Sequence, residues 1–104
     1  MMVVSDVCYL ITTNPGPHGV HDKPQQTERM VYCEVRSVGR SEFYQAATIG
    51  LSPEWVIKLA DEAEYKGELT LRFRGELWKI IRLYRTQDGG IEMTLQRSVI
   101  NRAL

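Results

Sequence analysis

The run Leu69-Thr70-Leu71-Arg72-Phe73-Arg74-Gly75-Glu76-Leu77-Trp78-Lys79-Ile80-Ile81-Arg82-Leu83 decides the fold class. Leu69, Leu71 and Phe73 alternate with Thr70, Arg72 and Arg74, which is the period of a strand with one buried face. The glycine after them predicts a hairpin. With Gly75-Glu76 as a two-residue loop, Phe73 pairs with Trp78 and Leu71 with Ile80. That register predicts a core containing Leu71, Phe73, Trp78 and Ile80. It also places Leu77, Ile81 and Leu83 together on the opposite face, beside Arg72 and Arg74. Both faces of this strand are then apolar, so the second needs a cover: a helix, the chain termini or another subunit.

The same alternation continues on both sides. Ile91, Met93 and Leu95 alternate with Glu92, Thr94 and Gln96, and within 54–63 the residues Trp55, Ile57 and Leu59 share a face opposite Lys58. Met93 and Leu95 join the predicted core. Glycine-bearing turns at 65–68, 74–77 and 87–90 separate the runs, which reads as a four-stranded meander. Upstream, about 3–13 and 27–37 predict two more strands, the second with Val31, Cys33 and Val35 on one face. They are joined by a Pro/Gly-rich loop at about 14–26, longer than a hairpin needs. Only Ser41 to Ile49 has helical spacing, with Ser41 as cap, Glu42 in the first turn, Phe43, Ala46 and Ala47 on one side and Gly50 as the stop. The expectation is one all-β domain over 1–104, a small antiparallel barrel or sandwich of about six strands with one short helix between strands 2 and 3.

Composition narrows the function classes. The 104 residues hold 13 Lys plus Arg against 13 Asp plus Glu, and 43% are apolar. A neutral chain of ordinary apolar content is neither disordered nor a bulk electrostatic binder of nucleic acid. The first thirteen residues contain Asp6 and lack a basic leader, and no apolar run approaches a membrane span, so the expected location is the cytoplasm. Cys8 and Cys33 lack metal-ligand or redox-motif spacing and read as buried apolar residues.

Chemical motifs are sparse. His18, His21 and Asp22 are a weak metal cluster on a Pro/Gly loop, and Asp61, Glu62 and Glu64 read as a solvated strand end rather than an acid/base pair. No nucleophile elbow, phosphate-binding loop or dinucleotide fingerprint occurs, so no enzyme activity, cofactor or metal is expected. One rival reading concerns 72–85. Arg72, Arg74, Lys79, Arg82 and Arg85 with Phe73, Trp78 and Tyr84 interleaved could make an OB-like platform for single-stranded nucleic acid, if those rings face outward.

The order of motifs resembles a known family. Ser37-Val38-Gly39-Arg40-Ser41-Glu42-Phe43-Tyr44-Gln45-Ala46-Ala47, then Gly50-Leu51-Ser52-Pro53-Glu54, is similar to the centre of the small head closure proteins of tailed bacteriophages and prophages, also called head-tail connector, adaptor or stopper proteins. Glu64-Tyr65-Lys66-Gly67 and the stretch from Leu71 to Arg82 resemble that family's aromatic hairpin, with Phe73 and Trp78 in the aromatic positions. The likeness runs over about Val3 to Gln96, while the loop at 14–24 matches no family pattern.

The resemblance implies a virion structural protein, made in the host bacterial cytoplasm and placed at the head-tail junction. It implies self-association into a hexameric or dodecameric ring on the portal-adaptor ring, closure of the DNA exit channel, and a surface for the tail or tail completion protein. Packaged DNA passes without sequence-specific binding, and no membrane is involved. The central segment at 38–53 corresponds to the part that projects toward the channel, which makes Glu42, Phe43, Tyr44 and Gln45 candidates for a gate or subunit contact. The competing expectation is that Phe43 and Ala47 lay the helix over Leu77, Ile81 and Leu83 as a lid on the barrel.

Overall fold

The computed structural model describes residues 6–14 and 25–98. In chain order these form β1 (Asp6–Asn14), β2 (Gln25–Ser37), α1 (Arg40–Ala47), β3 (Pro53–Leu59), a 3-10 turn at Glu62–Glu64, β4 (Thr70–Phe73), β5 (Glu76–Arg85) and β6 (Ile91–Arg97). The strands close into an antiparallel barrel in the order β1-β2-β3-β6-β5-β4. Most of the predicted 14–26 loop, including His18, His21 and Asp22, lies outside the described residues.

Inward-facing residues of every strand fill the barrel. Cys8, Leu10, Val31, Cys33, Ile57, Leu59, Leu71, Phe73, Trp78, Ile91, Met93 and Leu95 form one buried cluster, with Ile80 and Trp55 packed against it. A six-stranded barrel is narrow enough for side chains to occupy its whole interior. Trp78 is buried without stranding its polar edge, because its indole N–H donates to the Phe73 carbonyl at 3.1 Å. Cys8 and Cys33 are buried neighbours, and the hydrogen bond between them together with burial pushes the Cys8 thiol up, so it stays protonated. Glu68, a buried carboxylate just before β4, binds Arg29 at 2.7 Å and accepts from the Lys66 N–H at 2.8 Å.

Several expectations are corrected. The hairpin loop is Arg74-Gly75, with φ of 52° and 78°, so Phe73 pairs with Glu76 and Leu71 with Trp78. Positive φ at both central positions is the type I′ turn, whose twist matches that of the strands, and glycine takes the second position there rather than the first. The shift moves β5 by two residues, which preserves the side-chain faces from Leu77 to Ile80. The C-terminal half is not a four-stranded meander either. The strand expected to run to Ala63 ends at Leu59 and pairs with β6 and β2, while residues 60–69 carry the chain across to β4, which pairs with β1. The helix starts one residue before Ser41: Gly39 caps it in extended geometry without a side-chain bond, and Thr48 rather than Gly50 is its C-cap.

Gly90 has a requirement of its own. A Cβ at this buried position would stand 2.5 Å from the Leu59 carbonyl oxygen, so the turn into β6 closes only with glycine.

Candidate functional site

Helix α1 is tied down at its roots and bare along its body. The Phe43 N–H bonds the Gly39 carbonyl at 2.9 Å, and the Thr48 hydroxyl donates to the Gln45 carbonyl at 2.6 Å. Arg36 at the end of β2 reaches Glu42 at 3.4 Å and Glu92 of β6 at 3.6 Å, while the Ser52 N–H is received by Gln96 at 2.6 Å. An eight-residue helix is marginal alone, so these anchors and its neighbours hold it. Yet none of its residues is buried.

The four candidate residues divide between two sides of the helix. Gln45 and Glu42 lie, with Ala46 and Ile49, over Ile81 and Thr94, leaving a hollow of about 250 Å³ rather than a packed seam. Phe43 and Tyr44 turn away, their ring centroids 6.0 Å apart, beside Val38, Arg40 and Pro53. Tyr44 is 61% exposed and Phe43 is 39% exposed. The lid arrangement with Phe43 and Ala47 on strand five is therefore corrected: Ala46 and Ile49 overhang Ile81, and Leu77 and Leu83 do not line that hollow.

The interface face Leu77, Ile81, Leu83 also breaks up. Pairs run Ile80↔Leu95 and then Arg82↔Thr94, so Ile81 sits at a bulge. The bulge flips the parity of the residues beyond it and sets Leu83 opposite core Met93, on the face of Trp78 instead of that of Leu77. Leu83 nonetheless remains exposed, because β4 accompanies β5 only as far as Lys79.

Three of the five hairpin cations are matched by carboxylates from elsewhere in the chain. Arg72 pairs with Glu28 at 3.3 Å, Arg74 with Asp6 at 3.0 Å and Arg85 with Glu62 at 3.4 Å. Arg74 also lies over Phe73 and Trp55, its guanidinium carbon 4.8 and 5.4 Å from the ring centroids. Phe73 and Trp78 are 1% and 2% exposed, so no base can stack on them, and only Tyr84 of the three rings faces solvent.

The remaining acids have structural partners. Hydrogen bonds from Lys58, at 2.7 Å, and from the Thr86 hydroxyl hold Asp88 down at about 2 in the β5–β6 turn. At Glu68 burial opposes ionisation, but the N–H groups of Lys66 and Glu68 and the Arg29 guanidinium outweigh it and lower the carboxyl. Asp61 caps the 3-10 turn by accepting from the Ala63 N–H at 2.9 Å, and Glu62 is the partner of Arg85. No group of three or more metal-ligating side chains occurs among the described residues, and no helix among them is long and apolar enough to cross a membrane.

Sequence reasoning missed Arg36, which reaches the helix at Glu42, its second partner Glu92, and the exposed trio Tyr9, Met30 and Tyr32. The trio had a signal: Met30 and Tyr32 alternate with inward Val31 and Cys33, an apolar residue on each side of the strand. A scan against family models finds no match, and a search of curated proteins finds no similar sequence.

Proposed function

We propose that this chain is a structural subunit of a tailed phage or prophage head-tail junction, which assembles as a ring below the portal-adaptor ring, closes the DNA exit channel and offers a surface to the tail. The observation that carries the reading is α1. An inserted segment with firm roots buries none of its residues and presents Phe43 and Tyr44 to solvent. Apolar rings kept exposed without a role in the core are the mark of a contact surface. The position of the insertion, between β2 and β3 of a closed barrel, agrees with what the resemblance implies.

Since side chains fill the barrel interior, a passage for duplex DNA would lie between copies, at the centre of a ring. Glu42, Phe43, Tyr44 and Gln45 then belong to the gate or to the seam between neighbours. The test uses filled heads. Purified protein added to DNA-filled heads should bind them, retain the DNA and permit tail joining. The Phe43→Ser, Tyr44→Ser double variant should fold normally and fail in DNA retention or in tail joining. Full retention and joining by that variant would refute the role of the segment, and a wild-type protein that ignores filled heads would refute the reading itself.

A further inference from the structure

The outer face of the β1–β2 hairpin carries apolar side chains that the gate does not use. Along β2, Val31 and Cys33 point inward while Met30, Tyr32 and Glu34 alternate with them on the outside. Met30 is 47% exposed and Tyr32 is 61% exposed, and Tyr9, which pairs with Met30, widens the patch. Glu34 stands opposite Lys58 of β3, whose ammonium is bonded to Asp88 at 2.7 Å, and makes no ion pair of its own among the described residues.

Helix α1 shows the complementary pattern. Arg40 makes no ion pair among the described residues, Tyr44 stands one turn further on, and Phe43 flanks it. Four helical residues advance about 6 Å, and two strand residues about 6.6 Å. A cation followed by a ring on the helix thus matches, in spacing and in charge, a carboxylate preceded by a ring on the strand. Within one molecule the two do not meet. The Arg36 to Glu42 contact holds α1 beyond the end of β2, and Tyr32 lies about 13 Å back along the strand from Arg36.

We propose that α1 of one copy docks on the outer face of the β1–β2 hairpin of the next copy, with Arg40 against that copy's Glu34 and Tyr44 against its Met30 and Tyr32. The two surfaces differ, so the contact is head-to-tail, and its repetition closes a ring or extends a filament according to the rotation at each step. The inference deepens the ring reading and rests on it for closure, whereas the contact itself can be tested on the purified chain.

Disulfide trapping catches an association too weak to survive dilution. Met30→Cys and Tyr44→Cys are placed in one chain, leaving the buried Cys8 and Cys33 in place, and oxidised by air with copper phenanthroline. Circular dichroism first checks that each variant is folded. The double variant should give a ladder of dimers, trimers and larger species on a non-reducing gel. Each single variant should stay monomeric, and an equal mixture of the two singles should stop at dimers. Adding Arg40→Glu should lower trapping about tenfold, and Glu34→Arg in the same chain should restore it. Single variants that dimerise as well as the mixture would replace the head-to-tail contact with a symmetric one. The absence of any ladder, or a ladder equally strong when Leu69→Cys replaces Met30→Cys, would overturn the proposal. A ladder from a protein that ignores filled heads would refute the head-tail function and leave this contact standing; heads closed by a protein that forms no ladder would do the reverse.

Discussion

The β4–β5 hairpin and the insertion between β2 and β3 each set neighbouring aromatic and charged residues around a glycine, and they use them in opposite ways. In the hairpin Phe73 and Trp78 are buried, the indole N–H has an acceptor, and Arg72 and Arg74 are matched by Glu28 and Asp6 from other strands. In the insertion Phe43 and Tyr44 face outward, Arg40 has no acidic partner among the described residues, and only the two ends are fixed to the barrel. The difference separates what builds the fold from what the fold carries. A barrel closes through strands whose inward side chains meet, and a segment contributing nothing to that interior is free to meet something else.

The strongest way to break the comparison is inside the hairpin. Trp78→Ala should cost about 3–5 kcal/mol in a denaturant titration, the scale of a large aromatic truncation in a packed core. A loss below about 1 kcal/mol would mean that Trp78 does not fill the barrel, and the hairpin would cease to differ from the insertion. Gly90→Ala comes next. Its Cβ collides with the Leu59 carbonyl, and a loss of about 1–3 kcal/mol is expected by the usual cost of overpacking.

A smaller effect sharpens the role of long-range charge. Arg29→Ala leaves Glu68 buried without its cation and should cost about 1–2 kcal/mol, since the partly exposed guanidinium is screened and two backbone N–H groups still bind the carboxylate. The pH dependence has a definite sign. Because the folded Glu68 lies below its ordinary 4.5, its contribution is fully present above pH 4.5 and is lost as pH falls through the folded value. The acid limb of the Arg29→Ala variant should therefore be shallower than that of the parent, measured by thermal melting between pH 5 and 2. The smallest effect is expected where the comparison is most specific. Phe43→Ser with Tyr44→Ser should shift stability by no more than about 0.5 kcal/mol, as for exposed positions generally. A loss of several kcal/mol would make α1 part of the barrel's packing and remove it from the candidate contact surface.

Much of the fold was legible in local pattern. Alternation at 69–73 and 91–96 with glycine turns between the runs specifies strands and their faces, and the helical spacing at 41–49 picks out the one exception. The turn at Arg74-Gly75 was harder, because a glycine serves the first position of one hairpin turn and the second of another, and only the backbone dihedrals separate them. Up to Ile80 the faces are unchanged, since the two registers differ by an even number of residues.

The candidate site was legible as a segment and not as a geometry. Glu42 to Gln45 lie on the predicted helix, but which of them face the barrel depends on tertiary contacts such as that of Arg36, which reaches Glu42 of α1 from β2 and also Glu92 of β6. The split of Leu77, Ile81 and Leu83 came from a bulge that no glycine or proline marks. The apparent charge excess of the hairpin shrank for the same kind of reason, since Glu28, Asp6 and Glu62, which pair three of its five cations, come from distant parts of the chain.

By itself the sequence determined an all-β chain, the inward side of most of its strands, and a short amphipathic interruption between strands 2 and 3, because each of these depends on residues within one turn or one strand of each other. Only the tertiary structure decided that β3 lies beside β6, that the barrel closes through β1 and β4, that Ile81 bulges, and that Phe43 and Tyr44 remain outside. Those outcomes come from closing a cyclic set of hydrogen-bonded neighbours, a condition that all six strands satisfy together and that no local window contains.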